Sequence, residues 1–215
     1  RYVKIGLIEN FDILDTLTAY LREKLPEVRI IWDPILKASA GFHFHDSNNE
    51  QNIRKLNSIF KRIYLITPNT EELRQLFGKC SAEKLQDLCR SYRLNILWKG
   101  GHNEDELSTD KLITPGRIYT FSVRRGKYGK HGTGCVLSSA ITAGLACSLD
   151  LPSACSKAQV YTSLFMDSNN SKLGFHNLRE SGYASKPSPC ELSVQYITDH
   201  KKGTTIGEQV EAVCR

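Results

Sequence analysis

The most constraining feature of this sequence is a glycine-rich turn, residues 128–135 (Tyr-Gly-Lys-His-Gly-Thr-Gly-Cys), which runs straight into the apolar stretch 136–146. Small and apolar residues recur in that stretch at the spacing of one helical face, namely Leu137, Ala140, Ile141, Gly144 and Leu145. This spacing predicts a helix with that face packed against a core. The hydroxyl residues between them, Ser138, Ser139 and Thr142, are expected to point elsewhere, as helix surface or packing rather than as nucleophiles.

The turn itself predicts an anion-binding site at the start of the helix, here called the anion seat. Gly132 and Gly134 let backbone N–H groups converge on one point at the start of the helix. The free N–H groups and the positive end of the helix dipole favour a negatively charged group there, such as phosphate. Cys135 lies at the same helix start, where the positive potential favours a thiolate. An alternative interpretation is a glycine turn that caps a buried helix, with Cys135 a small core residue.

Length and composition favour one α/β domain with a sizeable core. The 215 residues contain no apolar run long enough to span a bilayer, and residues 2–6 are typical of a strand rather than a signal peptide. The formal net charge of +6 suits a phosphorylated substrate, although a basic surface that merely aids solubility explains it better, and it is too diffuse to indicate nucleic acid. The seven cysteines show no C-x-x-C pair, which fits scattered thiols in a reducing cytoplasm.

Strand and helix patterns alternate along the chain. Strands are expected at residues 3–8, 29–33, 63–66, 95–98 and 118–123, and helices near residues 14–25, 53–60, 70–77, 82–92, 136–146 and 152–166. This alternation predicts a parallel sheet covered by helices on both faces. In such sheets, ligands bind beyond the carboxyl ends of the strands.

Several polar residues fall just after predicted strands and should meet at that edge. They are Asp33, Asn69 with Glu72, and Lys99 with Gly100, and the glycine turn points to the same edge. We expect Glu72 to hold Mg²⁺ through water, Lys99 to contact phosphate, and Gly100 with Gly101 to let a nucleotide approach the backbone.

Each of these residues also has a structural interpretation. Asp33 precedes a proline and could simply form a turn. Asn69 and Glu72 have the spacing of a helix cap, which does not exclude a second role. Lys99 could reach solvent from its strand end. His43 and His45 alternate like two ligands on a strand, but no third ligand is suitably spaced, which favours a solvated loop.

Five motifs together resemble, in order and spacing, the hydroxymethylpyrimidine/phosphomethylpyrimidine kinases of thiamin biosynthesis. The motifs are Lys4-Ile5-Gly6-Leu7, Asp33-Pro34-Ile35, Thr67-Pro68-Asn69 with Glu72, Lys99-Gly100-Gly101-His102, and His131-Gly132-Thr133-Gly134-Cys135. The resemblance extends from about residue 2 to about residue 175. A Cys after the last glycine distinguishes this family from ribokinase and most sugar kinases of the same ribokinase-like superfamily, which have Asp at that position.

The resemblance implies a three-layer α/β/α ribokinase-like fold with a mostly parallel sheet. It also implies transfer of the γ-phosphoryl group of ATP, with Mg²⁺, to a hydroxymethylpyrimidine or its monophosphate. A pyridoxal kinase of the same superfamily and a non-catalytic pyrimidine- or nucleotide-binding module remain alternatives. The implied partner is a small pyrimidine, with no membrane or nucleic acid. Kinases of this superfamily are often dimers, and a homodimer stays open.

The resemblance also assigns roles to individual positions. Gly132, Thr133, Gly134 and Cys135 match the anion hole, with Cys135 at the base position. The positions that match nucleotide, magnesium and phosphate contacts are Lys99, Gly100, Asn69, Glu72 and Asp33, of which Glu72 and Asp33 are the metal candidates. Gly6, Leu7 and Ile35 lie where the pyrimidine would be lined.

Both ends of the chain depart from the family pattern. The family normally begins with a further strand and a glycine-rich substrate loop, so residues 1–175 are expected to form a kinase domain lacking its usual N-terminal portion. Residues 176–191 have the composition of a linker. Residues 192–215 resemble the first strand and helix of a thiamin phosphate synthase barrel, although a terminal strand and helix of the kinase domain is a competing interpretation. We therefore expect a longer, fused natural protein.

Overall fold

A computed structural model describes residues 1–36, 50–100 and 106–176. In chain order its elements are β1 (Tyr2–Ile5), α1 (Phe11–Lys24), β2 (Arg29–Trp32), α2 (Glu50–Phe60), β3 (Ile63–Ile66), α3 (Thr70–Phe77), α4 (Ala82–Tyr92), β4 (Asn95–Trp98), β5 (Leu107–Ile113), β6 (Ile118–Arg124), α5 (Thr133–Ala146) and α6 (Leu151–Asp167). None of these helices is long and apolar enough to cross a membrane. The predicted linker beyond His176 and the segment 192–215 lie outside the described residues.

The strands form one sheet in the order β1-β2-β3-β4-β5-β6. Strands β1 to β4 are parallel, as the alternation of strands and helices predicts. Strands β5 and β6 add an antiparallel hairpin to the β4 edge. Because β1 to β4 point the same way, the loops that follow them meet at one edge of the sheet.

Strand β5 is the element that the sequence analysis missed. Asp110 and Lys111 stand in its middle and interrupt the apolar pattern of a strand. Both are accommodated by tertiary contacts, since Asp110 accepts the N–H of Gly100 and the Lys111 ammonium lies 5.7 Å from the ring centre of Trp98. These partners are remote or belong to another strand, so local sequence carries no sign of them.

Helices cover both faces of the sheet and make three layers. Ile30 and Trp32 of β2 belong to the apolar cluster beneath α1 to α4, whereas Ile31 between them belongs to the cluster beneath α5 and α6. This alternation is what a strand buried on both faces requires. The prediction of a sheet covered on both sides is confirmed.

Helix α5 begins at Thr133, earlier than the apolar run suggests. The burial of Leu137 and Ile141 agrees with the predicted inner face. The expectation that Ser138 and Thr142 point away from the core is wrong, because they are only 0% and 5% exposed. Their hydroxyls are satisfied inside, where Ser138 Oγ donates to Asp33 and Thr142 Oγ1 donates to the carbonyl of Ser138.

Candidate functional site

The carboxylate of Asp33, at the end of β2, is completely buried. Its Oδ1 accepts hydrogen bonds from Thr67 Oγ1 and Lys99 Nζ, each at 3.0 Å. Its Oδ2 accepts a hydrogen bond from Ser138 Oγ at 3.1 Å. The donors come from the ends of β3 and β4 and from α5, so one carboxylate joins four elements. Asp33 therefore does more than form a turn before its proline.

Lys99 follows β4 and turns inward. Its side chain is 14% exposed, and Nζ lies 3.0 Å from Asp33 Oδ1 and 3.9 Å from Glu72 Oε2. The backbone N–H of Lys99 donates to the carbonyl of Pro68 at 2.9 Å, which holds the loop after β3 alongside. The alternative of a strand-end lysine in solvent is wrong, because the two carboxylates draw the ammonium into the site.

Asn69 and Glu72 form the predicted capping box at the start of α3. The N–H of Asn69 donates to Glu72 Oε2 at 2.7 Å, and the N–H of Glu72 donates to Asn69 Oδ1 at 2.8 Å. Burial raises the pKa of the Glu72 carboxyl, although the ammonium of Lys99 and the N–H of Asn69 act in the opposite direction. The cap places a buried carboxylate beside the Lys99 cation.

The N-terminus of α5 is open. Gly132 precedes it with φ of 76°, in the left-handed region, and no side chain among the described residues caps the helix. The first N–H groups of a helix have no acceptor within it. A Cβ on Gly134 would lie 3.3 Å from Lys99 Nζ and 3.8 Å from Asp33 Oδ2, so the first turn rests directly against the ion pair. Cys135 is half-buried in the same turn.

Gly100 has a different role from the one expected. A Cβ at this position would collide with the backbone carbonyl of Thr109 on β5. The N–H of Gly100 donates to Asp110 Oδ1 at 2.9 Å. The glycine is therefore required by the close approach of β5, and the expectation that it gives a nucleotide access to the backbone does not account for it. Gly101 lies outside the described residues.

One cavity of about 380 Å³ collects most of the predicted residues. Those that line it are Asp33, Ile35, Asn69, Glu72, Lys99, Gly132, Thr133, Gly134 and Cys135. Gly6 and Leu7 are not among the described residues that line it, and the Leu7 side chain is 60% exposed. Both follow β1 at the same edge, where the carbonyl of Ile5 accepts the N–H of Asp33.

A second wall of the cavity comes from residues that the sequence analysis did not single out. They lie on β5, β6, the loop after it and α6, and include Ser108, Asp110, Val123, Arg124, Arg125, Gln159, Thr162 and Met166. Gln159 Nε2 donates to the carbonyls of Ser108 and Phe121 at 3.1 and 3.3 Å, which pins α6 to the hairpin. Burial raises the pKa of Asp110. The burial of Asp110 is visible only in the fold, so the local sequence offers no signal that could have found this wall.

Of the two carboxylates predicted as metal ligands, one fits a magnesium ion that takes most of its ligands from elsewhere. Among the described residues no cluster of three or more His, Cys, Asp or Glu side chains could hold a metal alone. Mg²⁺ commonly uses one or two protein carboxylates with waters and substrate phosphates. Glu72 lines the cavity and suits that role, whereas Asp33 already accepts three hydrogen bonds. His43, His45 and His102 lie outside the described residues.

The model of the phosphomethylpyrimidine kinase family matches residues 1–178. The chain belongs to this family. Its sequence is similar to that of the hydroxymethylpyrimidine/phosphomethylpyrimidine kinase of Staphylococcus aureus. The two are 30% identical over 171 residues, which are 75% of this chain and 61% of that protein. A bifunctional thiamine biosynthesis protein of Methanocaldococcus jannaschii is 33% identical over 82% of this chain and 39% of its own length. This phosphomethylpyrimidine kinase family member thus spans about three fifths of the S. aureus kinase.

Solved structures confirm the three-layer ribokinase-like fold of this family member. The ADP complex of Bacillus subtilis pyridoxal kinase superposes with a TM-score of 0.63 at 20% identity, covering 81% of this chain and 68% of that one. A phosphomethylpyrimidine kinase structure from Bacteroides thetaiotaomicron, described as putative, gives a TM-score of 0.63 at 15% identity, covering 84% and 67%. The expected fold class is confirmed by these matches.

Proposed function

We propose that this chain provides the phosphate-binding half of a kinase that phosphorylates hydroxymethylpyrimidine, its monophosphate, or both, in thiamin biosynthesis. The observation that supports this proposal is that one cavity is lined by Lys99, Glu72 and the open N-terminus of α5, in a member of the phosphomethylpyrimidine kinase family. A buried cation and unpaired helix N–H groups are the features that neutralise and orient a polyphosphate. ATP is therefore the proposed phosphoryl donor.

The proposed division of work follows from the contacts. The N–H groups of Thr133, Gly134 and Cys135 donate to phosphoryl oxygens, whose charge grows along the reaction. Lys99 neutralises the same charge, and its ion pair with Asp33 keeps the ammonium in place before the nucleotide arrives. Glu72 would be the protein carboxylate that holds Mg²⁺, with Asn69 fixing that carboxylate through its N–H, and the ion would supply positive charge to the phosphates.

Cys135 is the proposed acceptor of the proton that leaves the attacking hydroxyl. It lines the cavity in the first turn of α5, beside Thr133 and Gly134. Phosphoryl transfer depends mainly on positioning and charge neutralisation, so a modest base suffices. Gly6, Leu7 and Ile35 are proposed to line the pyrimidine, at the sheet edge next to Asp33.

An assay of substrate choice tests this proposal. The purified protein is given MgATP with hydroxymethylpyrimidine, its monophosphate or pyridoxal, and ADP release is measured. We expect ADP with one or both pyrimidines, no ADP with pyridoxal, and loss of ADP release in Lys99→Met but not in Lys127→Met. Release with pyridoxal alone would identify a pyridoxal kinase instead. Calorimetric binding of nucleotide or pyrimidine without any ADP would identify a non-catalytic binding module.

The termini carry a second part of the proposal. We propose residues 176–191 as a linker and residues 192–215 as the start of a thiamin phosphate synthase domain in a longer cytoplasmic protein. The similarity to the bifunctional M. jannaschii thiamine biosynthesis protein supports a fusion in general. The intact mass of the protein from its source tests this directly, since a mass equal to that of these 215 residues would overturn it. Size-exclusion chromatography with light scattering separates a monomer from a homodimer.

A further inference from the structure

The loop before α5 is held from outside the cavity by the segment that follows α6. The Lys130 ammonium donates to the backbone carbonyl and to Oδ1 of Asn169, the latter at 2.8 Å, and to the carbonyl of Ser171 at 2.7 Å. An ammonium has three protons, so these acceptors use all of them. The Lys130 ammonium also lies 5.4 Å from the ring centre of Tyr128 in the same loop.

Two backbone contacts and one packing contact reinforce this junction. The N–H of His131 donates to the carbonyl of Lys172 at 3.0 Å, and the N–H of Lys127 donates to Asp167 Oδ1. Gly126 lies so close to α6 that a Cβ there would collide with the side chain of Met166. The loop and the segment therefore meet along their length, and the side chain of Lys130 crosses between them.

Lys130 stands two positions before Gly132, whose left-handed backbone aims the first turn of α5 into the cavity. Three glycines, at 126, 129 and 132, leave this loop with more backbone freedom than an ordinary loop. N–H groups that must be ordered when a ligand binds give weaker binding than N–H groups already in place. The contacts of Lys130 with Asn169 and Ser171, here called the tie, order this loop from outside the cavity. They should therefore strengthen anion binding at the first turn of α5.

We propose that Lys130 is a positioning residue, which holds the glycine turn ready for phosphate by binding the segment after α6. It is not a phosphate contact, because its protons are taken by Asn169 and Ser171 and it is not among the described residues that line the cavity. The inference rests on the proposed nucleotide site for its functional consequence. The tie itself is independent of that proposal.

The test uses the full chain in four forms: wild type, Lys130→Met, Lys130→Arg and Lys127→Met. Amide hydrogen exchange is followed in peptides covering residues 126–134 and 166–173. Binding of the ATP analogue AMP-PCP with Mg²⁺ is measured by calorimetry, and melting temperatures are recorded. Lys127 is the matched control, because its backbone N–H takes part in the junction while its side chain makes no hydrogen bond or ion pair there with the residues that the structure describes.

We expect Lys130→Met to exchange faster in both peptides and to bind Mg-AMP-PCP about tenfold more weakly, a factor typical of one lost ordering contact. Lys130→Arg should restore most of the protection and affinity, and Lys127→Met should behave as wild type. Unchanged exchange in Lys130→Met would overturn the tie. Faster exchange in Lys130→Met with unchanged affinity would overturn the positioning role. The role would also be overturned if Lys130→Met and Lys130→Arg bound equally weakly and had equally lowered melting temperatures. Failure of the wild type to bind the analogue would instead refute the nucleotide site, with exchange still deciding the tie.

Discussion

Ser138 Oγ lies 3.1 Å from Asp33 Oδ2, although the two residues are 105 positions apart in the chain. The bond joins the first turns of α5 to the end of β2 across the layer boundary. The Ser138 hydroxyl also approaches the carbonyls of Gly134 and Cys135 at 3.0 and 3.2 Å, as a helical serine commonly does. The anion seat and the buried carboxylate are therefore connected through one hydroxyl.

Ser138→Ala should destabilise the protein by about 1–3 kcal/mol, the range for leaving a buried polar partner short of a hydrogen bond. The reason is that Asp33, which is fully buried, loses one of its three donors. Guanidinium unfolding measures the change. Ser139→Ala, one position along the same helix, should stay within about 0.5 kcal/mol of wild type. Equal losses in the two variants would contradict this account.

The Lys99–Asp33 pair should behave as one unit. Lys99→Gln leaves a buried carboxylate without its counter-charge, and removing one member of a buried pair costs about 3–5 kcal/mol. The double variant Asp33→Asn with Lys99→Gln removes both charges and should recover much of that stability. A double-mutant cycle by guanidinium unfolding gives the coupling. Additive losses would show that the two residues stabilise the fold independently.

Gly100→Ala should destabilise the fold by about 1–3 kcal/mol or more, the range for overpacking, because a Cβ there collides with backbone rather than with a mobile side chain. Gly116 provides the matched comparison, since a Cβ at that position meets nothing within 4 Å. Gly116→Ala should be neutral or stabilising by up to about 1 kcal/mol. The two melting temperatures, compared with wild type, check the prediction. Similar behaviour of the two alanines would argue against the close approach of β5.

Asp110 should make stability depend on pH in an unusual direction. Burial raises the pKa of this carboxyl in the folded chain. Between the unfolded value of about 3.9 and the raised value, the folded chain binds more protons than the unfolded chain, so its stability falls as pH rises. The contribution is complete below about pH 3.9 and is lost through the folded pKa. Asp110→Asn removes this pH-dependent contribution. Urea unfolding at a series of pH values should therefore show the free energy of unfolding of the variant rising relative to that of wild type as pH increases.

Asp150 offers a control of opposite sign. It caps α6, and the N–H of Ser153 that it accepts lowers its pKa. Its contribution to stability is present above the unfolded pKa and is lost as pH falls. The free energy of unfolding of Asp150→Asn should therefore fall relative to that of wild type as pH rises. Parallel pH profiles for Asp110→Asn and Asp150→Asn would contradict at least one of the two assignments.

The kinetic roles of the site can be ranked. Cys135→Ser should reduce kcat less than the pair Asn69→Ala with Glu72→Ala, because charge neutralisation contributes more to phosphoryl transfer than a weak base does. Steady-state rates with MgATP and the pyrimidine substrate check the order, with circular dichroism to confirm folding of the capping-box variant. The reverse ranking would make Cys135 the dominant group.

Elements with complete local signals could be predicted to the residue. Helix α3 (Thr70–Phe77) begins at the Asn69 capping box, and β3 (Ile63–Ile66) is an unbroken apolar run. Strand β5 could not be predicted, because the partners that accept Asp110 lie in other elements. Asp33, Glu72 and Lys99 follow parallel strands and line one cavity, because topology alone brings such positions together. Gly6 and Leu7 also follow a parallel strand, but they are not among the described residues that line it.

What the sequence could not reveal depends on contacts between distant segments. The burial of Ser138 depends on Asp33, and the reason for a glycine at position 100 is the carbonyl of Thr109. The contacts of Lys130 with Asn169 depend on where α6 ends. In each case the local residue pattern is compatible with an exposed polar side chain or an ordinary turn, and only the packed fold distinguishes between them.

The bonds around Asp33 have a consequence for comparing members of this family. Thr67, Lys99 and Ser138 all hold that carboxylate, so the demand for a stable fold bears on these residues whether or not phosphate is transferred. Their presence in a relative therefore indicates the architecture and does not by itself indicate catalysis. The side chain of Cys135 lines the cavity outside that set of hydrogen bonds, so its identity in a relative would say more about the proposed phosphoryl transfer than the four residues do.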